Sequence, residues 1–117
     1  MKVLIVDDAK FMQKTLTKVF EENNIEVVGV ASNGIEAVKK YGEMKPDAVI
    51  MDVTMPDMDG IQAVREIKKI DTDAKIIMCS AIGQECFIKD AILAGAKDYV
   101  IKPINAEKLV EALLLLK

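Results

Sequence analysis

Five short apolar runs recur along the chain: KVLIV (2–6), EVVGV (26–30), DAVIM (47–51), KIIMC (75–79) and DYVIK (98–102). Valine and isoleucine dominate them, as in strands covered on both faces. Between the runs lie longer stretches with helical spacing. Met12, Leu16, Val19 and Phe20 follow one helical stripe, and Ala106, Leu109, Val110, Leu113 and Leu114 follow another. Asn105 is placed to cap the last helix, and Asp59 with Gln62 three residues later has the form of a capping box before the third. Turn-forming residues punctuate the pattern at Asn33-Gly34, Pro46, Pro56, Gly60, Gly83 and Gly95. The chain therefore predicts a β-α unit repeated five times. Such alternation implies a parallel sheet with helices on both faces. Right-handed crossovers then bring the carboxyl ends of all strands to one edge. No internal repeat, linker or low-complexity segment interrupts the pattern, so residues 1–117 are expected to form a single domain.

Composition narrows the function classes. The net charge is −3, with both signs interspersed, which argues against a nucleic-acid-binding stripe. The chain has no histidine, which removes the commonest general base and any histidine metal ligand. Cys79 and Cys86 form neither a CxxC motif nor a zinc-type cluster, and are expected as reduced cysteines in or near the core. No apolar run approaches the roughly 20 residues that span a bilayer, and no cleavable signal pattern is present. The expectation is a soluble cytoplasmic protein that contacts neither membrane nor nucleic acid.

In doubly wound sheets, ligands bind outside the carboxyl ends of the strands. The first run ends in Asp7 and Asp8, the third in Asp52, the fourth in Ser80 and the fifth in Lys102, followed by Pro103. The second ends in ASNG, which offers little beyond a cap for the next helix. Each residue alone has an ordinary reading as a solvated strand end, a cap or an exposed lysine. Their conjunction on one edge is what points to a site. Two unit charges about 4 Å apart repel by about 4 kcal/mol at an effective dielectric near 20. A hard divalent cation relieves that repulsion, and all-oxygen ligands suit Mg²⁺, with Mn²⁺ as the alternative. A metal, a lysine and a hydroxyl around one aspartate can hold a phosphoryl group, and an aspartate can be the nucleophile that accepts it.

Other readings fit less well. There is no GxGxxG and no GxxxxGK[ST] fingerprint. MPDMDG lacks the spacing and final glutamate of a calcium-binding EF-hand loop. DVT at 52–54 has the start of an aspartate-nucleophile phosphatase motif, but Thr54 stands where a second acid is needed. That favours a phosphoacceptor over a multiple-turnover enzyme.

LIVDDAKFM, DAVIMDVTMPDMDG, IIMCSA and AKDYVIKP together resemble the receiver domain of two-component response regulators, over the whole chain and in family order. The likeness is greatest to the stand-alone receivers of chemotaxis. It implies a flavodoxin-like (βα)5 fold with strand order 2-1-3-4-5. It implies Asp52 as the phosphoacceptor, Asp8 and Asp52 as direct Mg²⁺ ligands with the backbone carbonyl of Thr54, and Asp7 as a ligand through water. Lys102 would pair with Asp52 and then with the phosphoryl group. Ser80 would hydrogen-bond a phosphoryl oxygen, and Tyr99 would turn inward as the switch. A cis Lys102–Pro103 bond is expected.

The implied partners are a CheA-type histidine kinase, the flagellar motor switch protein and a separate phosphatase. The receiver would be a monomer that catalyses its own phosphorylation and a slow dephosphorylation. Slow decay is expected because neither Thr54 nor Ile82 can align an attacking water. The alternatives are a receiver in a non-chemotactic phosphorelay and a receiver acting by contact alone.

Overall fold

The computed structural model describes residues 1–53, 55, 58–81 and 86–116. Among the described residues, ten elements alternate: β1 (Lys2–Val6), α1 (Lys10–Glu22), β2 (Glu26–Ala31), α2 (Gly34–Met44), β3 (Ala48–Asp52), α3 (Gly60–Ile70), β4 (Ile76–Ser80), α4 (Cys86–Ala94), β5 (Asp98–Ile101) and α5 (Ala106–Leu115). All strand pairings are parallel, and the order is β2-β1-β3-β4-β5. The flavodoxin-like arrangement is thus the observed fold, and it sets β1 and β3 side by side at its centre.

The period-2 alternation of a strand divides the core into two layers. Val3, Ile5, Ile50 and Ile77 pack with Leu16 and Phe20 of α1 and Leu109 and Leu113 of α5. Leu4, Val6, Met51 and Met78 face the other way, onto Ala37 of α2, Val64 and Ile67 of α3 and Ala91 of α4. β1, β3 and β4 are buried almost throughout. The two edge strands depart from the expectation of full cover. β2 is mostly half-buried, and β5 alternates half-buried with exposed residues, because each has a neighbour on one side only.

Helix caps anchor the connections at the site edge. Asn33 Oδ1 accepts from Glu36 N at 2.8 Å, Asp59 Oδ1 from Gln62 N at 2.8 Å, and Asn105 Oδ1 from Lys108 N at 3.1 Å. Each satisfies an amide that the first helical turn leaves free. The Lys102–Pro103 bond is cis, as expected. Cys79 is buried in β4, whereas Cys86 is exposed on the first turn of α4 and contributes nothing to the core. Among the described residues, no helix is long and apolar enough to cross a membrane.

Candidate functional site

The polar strand ends converge as the topology requires. Asp7, directly after β1, is almost fully buried, and four contacts fix it. Its amide donates to Ala31 O at 3.0 Å, and its carbonyl accepts from Gln13 Nε2 at 2.6 Å. Its Oδ1 accepts from Ala9 N at 2.9 Å, and its Oδ2 lies 3.3 Å from Lys102 Nζ. Asp8, one residue on, is exposed to solvent. The adjacent aspartates are therefore unequal: one is an anchored part of the frame and the other a free carboxylate at the mouth.

Asp52 ends β3 and is 7% exposed. Lys102 begins the connection after β5, where its amide donates to Ser80 O at 2.7 Å. From there its side chain spans β4 and places Nζ 3.4 Å from Asp52 Oδ1 as well as 3.3 Å from Asp7 Oδ2. The lysine is thus shared between two carboxylates, where the resemblance implied a pairing with Asp52. Ser80 is fully buried at the end of β4, and its Oγ has no hydrogen-bond partner among the described residues. A buried hydroxyl without a partner costs about 1–3 kcal/mol, so its presence calls for an explanation.

The charges perturb one another. Burial pushes the Asp52 carboxyl above its ordinary value; Lys102 opposes this, while Asp7 and Asp8 add to it. For Lys102, burial pulls downward, but the attraction of Asp52 and Asp7 outweighs it and the ammonium is held above its usual value. Burial pushes the neighbouring Cys79 thiol up to about 12, so it is a neutral packing group at physiological pH.

One carboxylate oxygen each from Asp7, Asp8 and Asp52 lies within 4.8 Å of the other two. Three acids around one point, answered by one ammonium, leave an excess of negative charge that a small hard cation fits, and the all-oxygen donor set matches Mg²⁺ or Mn²⁺. The structure thus brings together Asp7, Asp8, Asp52 and Lys102, with Ser80 on the adjacent strand. Tyr99 pairs in register with Met78 and is 43% exposed, so it faces outward here. Thr54 and Ile82 lie outside the described residues.

Sequence reasoning missed the part played by three residues, Gln13, Gly34 and Gly60. Gln13 bridges the Asp7 carbonyl and Ser32 Oγ, the latter at 3.2 Å. Its only signal was a polar residue one position from the apolar stripe of α1. Gly34 and Gly60 had registered as turn formers, yet each permits a close backbone approach: a Cβ on Gly60 would lie 2.0 Å from Asp52 O.

This fold and edge chemistry define a class. The chain belongs to the response regulator receiver domain family, whose profile matches residues 3–114. It is a signalling protein, a switch activated by phosphorylation. Among curated relatives, it is 54% identical to chemotaxis protein CheY of Bacillus subtilis and 55% identical to that of Thermotoga maritima, in each case over 96% of this chain and 93% of the relative. Among solved structures, a chain of the CheX-CheY-BeF3-Mg²⁺ complex from Borrelia burgdorferi superposes with a TM-score of 0.93 at 38% identity, covering 99% of this chain and 88% of that one. The response regulator domain of Thermotoga maritima CheB gives a TM-score of 0.92 at 34% identity, covering 99% and 95%.

Proposed function

We propose that the chain is a chemotaxis receiver of the cytoplasm that accepts a phosphoryl group on Asp52 from a CheA-type histidine kinase. The observation that carries this reading is the convergence of Asp52 with Lys102 and the Asp7–Asp8 pair at one sheet edge. In the step proposed, an Asp52 carboxylate oxygen attacks phosphorus. The new O–P bond forms as the P–N bond of the kinase phosphohistidine breaks, and the electron pair of that bond leaves with the imidazole.

Receiver domains generally use Mg²⁺, and here Asp7, Asp8, Asp52 and the Thr54 carbonyl would hold it. When bound, it supplies positive charge toward the phosphoryl oxygens. Lys102, already beside Asp52, moves its charge from the carboxylate to the phosphoryl group. The Ser80 hydroxyl donates to a phosphoryl oxygen, which would account for its being buried without a partner among the described residues. Tyr99, outward in the unphosphorylated state, turns toward Ser80 when that bond forms. The signal then leaves through α4, β5 and α5, where Phe87, Leu93, Tyr99 and Ile101 are exposed. The partner proposed for that face is the flagellar motor switch protein, in keeping with relatives that are chemotaxis proteins.

A separate phosphatase ends the signal. The resemblance to a CheY solved in complex with CheX supports this part of the reading. Incubation with Mg²⁺ and acetyl phosphate should add one phosphoryl group by mass, lost completely in Asp52→Asn. Beryllofluoride should then tighten binding of a motor-switch peptide. Equal incorporation in Asp52→Asn would overturn the phosphoacceptor assignment, and equal peptide affinity in both states would overturn the motor contact.

A further inference from the structure

The end of β2 carries no chemistry of its own, yet it touches both halves of the acidic site. On one side, Gln13 of α1 donates through Nε2 to the Asp7 carbonyl at 2.6 Å and to Ser32 Oγ at 3.2 Å. Ser32 is held in turn by its amide, which donates to Glu36 Oε1 at 3.3 Å, and Asn33 Nδ2 donates to Glu36 Oε2 at 3.3 Å. On the other side, the amide of Gly34 donates to Met58 O at 3.2 Å. Met58 lies in the connection from β3 to α3, which leaves directly from Asp52. Gly60 N closes that connection onto Val53 O at 2.8 Å.

Gly34 has to be glycine for reasons of space. A Cβ there would stand 2.4 Å from Met58 O and 2.8 Å from Met58 Cβ and Cγ. The nearest of these obstacles is backbone, which cannot rotate away as the end of a flexible side chain can. Any side chain at 34 must push either the α2 N-terminus or the β3–α3 connection outward.

We propose that the β2–α2 corner, through Gln13, Ser32 and Gly34, is a positioning brace that sets the spacing between the Asp7–Asp8 side of the site and the Asp52 side. None of these side chains touches the acidic cluster's carboxylate oxygens. Gln13 acts through the Asp7 carbonyl, and Gly34 acts through the Met58 carbonyl. A cation bound by three carboxylates is sensitive to their spacing, and groups that orient metal ligands commonly change affinity about 10- to 100-fold when removed.

The inference rests on the reading of this cluster as a Mg²⁺ site, so the wild-type chain is the first control. Mg²⁺ is titrated calorimetrically into wild type, Gly34→Ala and Gln13→Leu, at a temperature where circular dichroism shows each metal-free protein folded. Gly34→Ala should raise the Mg²⁺ dissociation constant about tenfold, and Gln13→Leu should raise it less. A merely structural role would lower the melting temperature but leave the Mg²⁺ affinity of the folded protein unchanged. Wild-type affinity in both folded variants overturns the brace and leaves the site reading intact. No Mg²⁺ binding by the wild type overturns both. Should Gly34→Ala fail to fold, Gln13→Leu decides alone, because it removes a hydrogen bond without forcing a clash.

Discussion

Where the strands begin, polar groups are matched within the chain. Tyr41 donates to Asp71 Oδ2 at 2.8 Å, and the other Asp71 oxygen accepts from Asp73 N at 2.9 Å. Lys68 Nζ closes the end of α3 by donating to Thr72 O and Ala74 O at 2.9 and 2.8 Å, and Gly95 packs on its methylene stem. Where the strands end, Asp7 and Asp52 share one ammonium, Asp8 stands in solvent and the Ser80 hydroxyl has no partner among the described residues. The same sheet thus carries a satisfied edge and an unsatisfied one. Stability can be drawn from the first, which leaves the second free to hold a charge excess that Lys102 offsets only in part.

Substitutions at the two edges should therefore have opposite signatures. The largest effect is expected for Asp8→Ala. It should abolish Mg²⁺ binding by calorimetry while the metal-free protein melts at an equal or higher temperature, since one of three repelling acids is gone. A lower melting temperature without metal would break the comparison. Tyr41→Phe should do the reverse. It should lower the melting temperature by a few degrees, because Asp71 loses its donor across α2 and α3, while Mg²⁺ affinity stays at the wild-type value.

The smallest effect is a difference in pH response. Asp52 has a raised pKa, so its contribution to stability is full below the unfolded value of 3.8 and is lost as pH rises through the folded value. The melting-temperature advantage of Asp52→Asn over wild type should therefore grow as pH rises through that range without metal. Asp71 has a lowered pKa, held down first by the Tyr41 hydrogen bond. Its contribution is present above the unfolded value and lost as pH falls through the folded one. The gap between wild type and Tyr41→Phe should accordingly shrink in acid. Parallel pH curves for the two pairs would show that the edges are not electrostatically distinct.

The contrast also explains what could be read from sequence. Apolar runs announced every strand, because a sheet covered by helices needs near-continuous apolar strands. Asp7, Asp8, Asp52, Ser80 and Lys102 were legible because a chemical residue at a strand's carboxyl end is visible without coordinates. The half-exposure of β2 and β5 was not, since VVGV and YVI read as apolar whether or not a neighbour strand lies alongside. Nor were the Tyr41–Asp71 and Gln13–Ser32 contacts, which join residues 30 and 19 positions apart with no periodic pattern to reveal them. That one Lys102 ammonium reaches Asp7 and Asp52 at once is a matter of distances, 3.3 and 3.4 Å, that no sequence pattern reveals.

Cys79 and Cys86 differ sharply in access. Cys79 is sealed in β4 with its thiol pushed up to about 12, while Cys86 stands exposed at the start of α4. The unaltered protein thus offers one accessible thiol, on a helix of the proposed output face. A maleimide fluorophore or spin label would attach there without mutagenesis, giving a native reporter that follows α4 in real time as phosphate arrives and leaves.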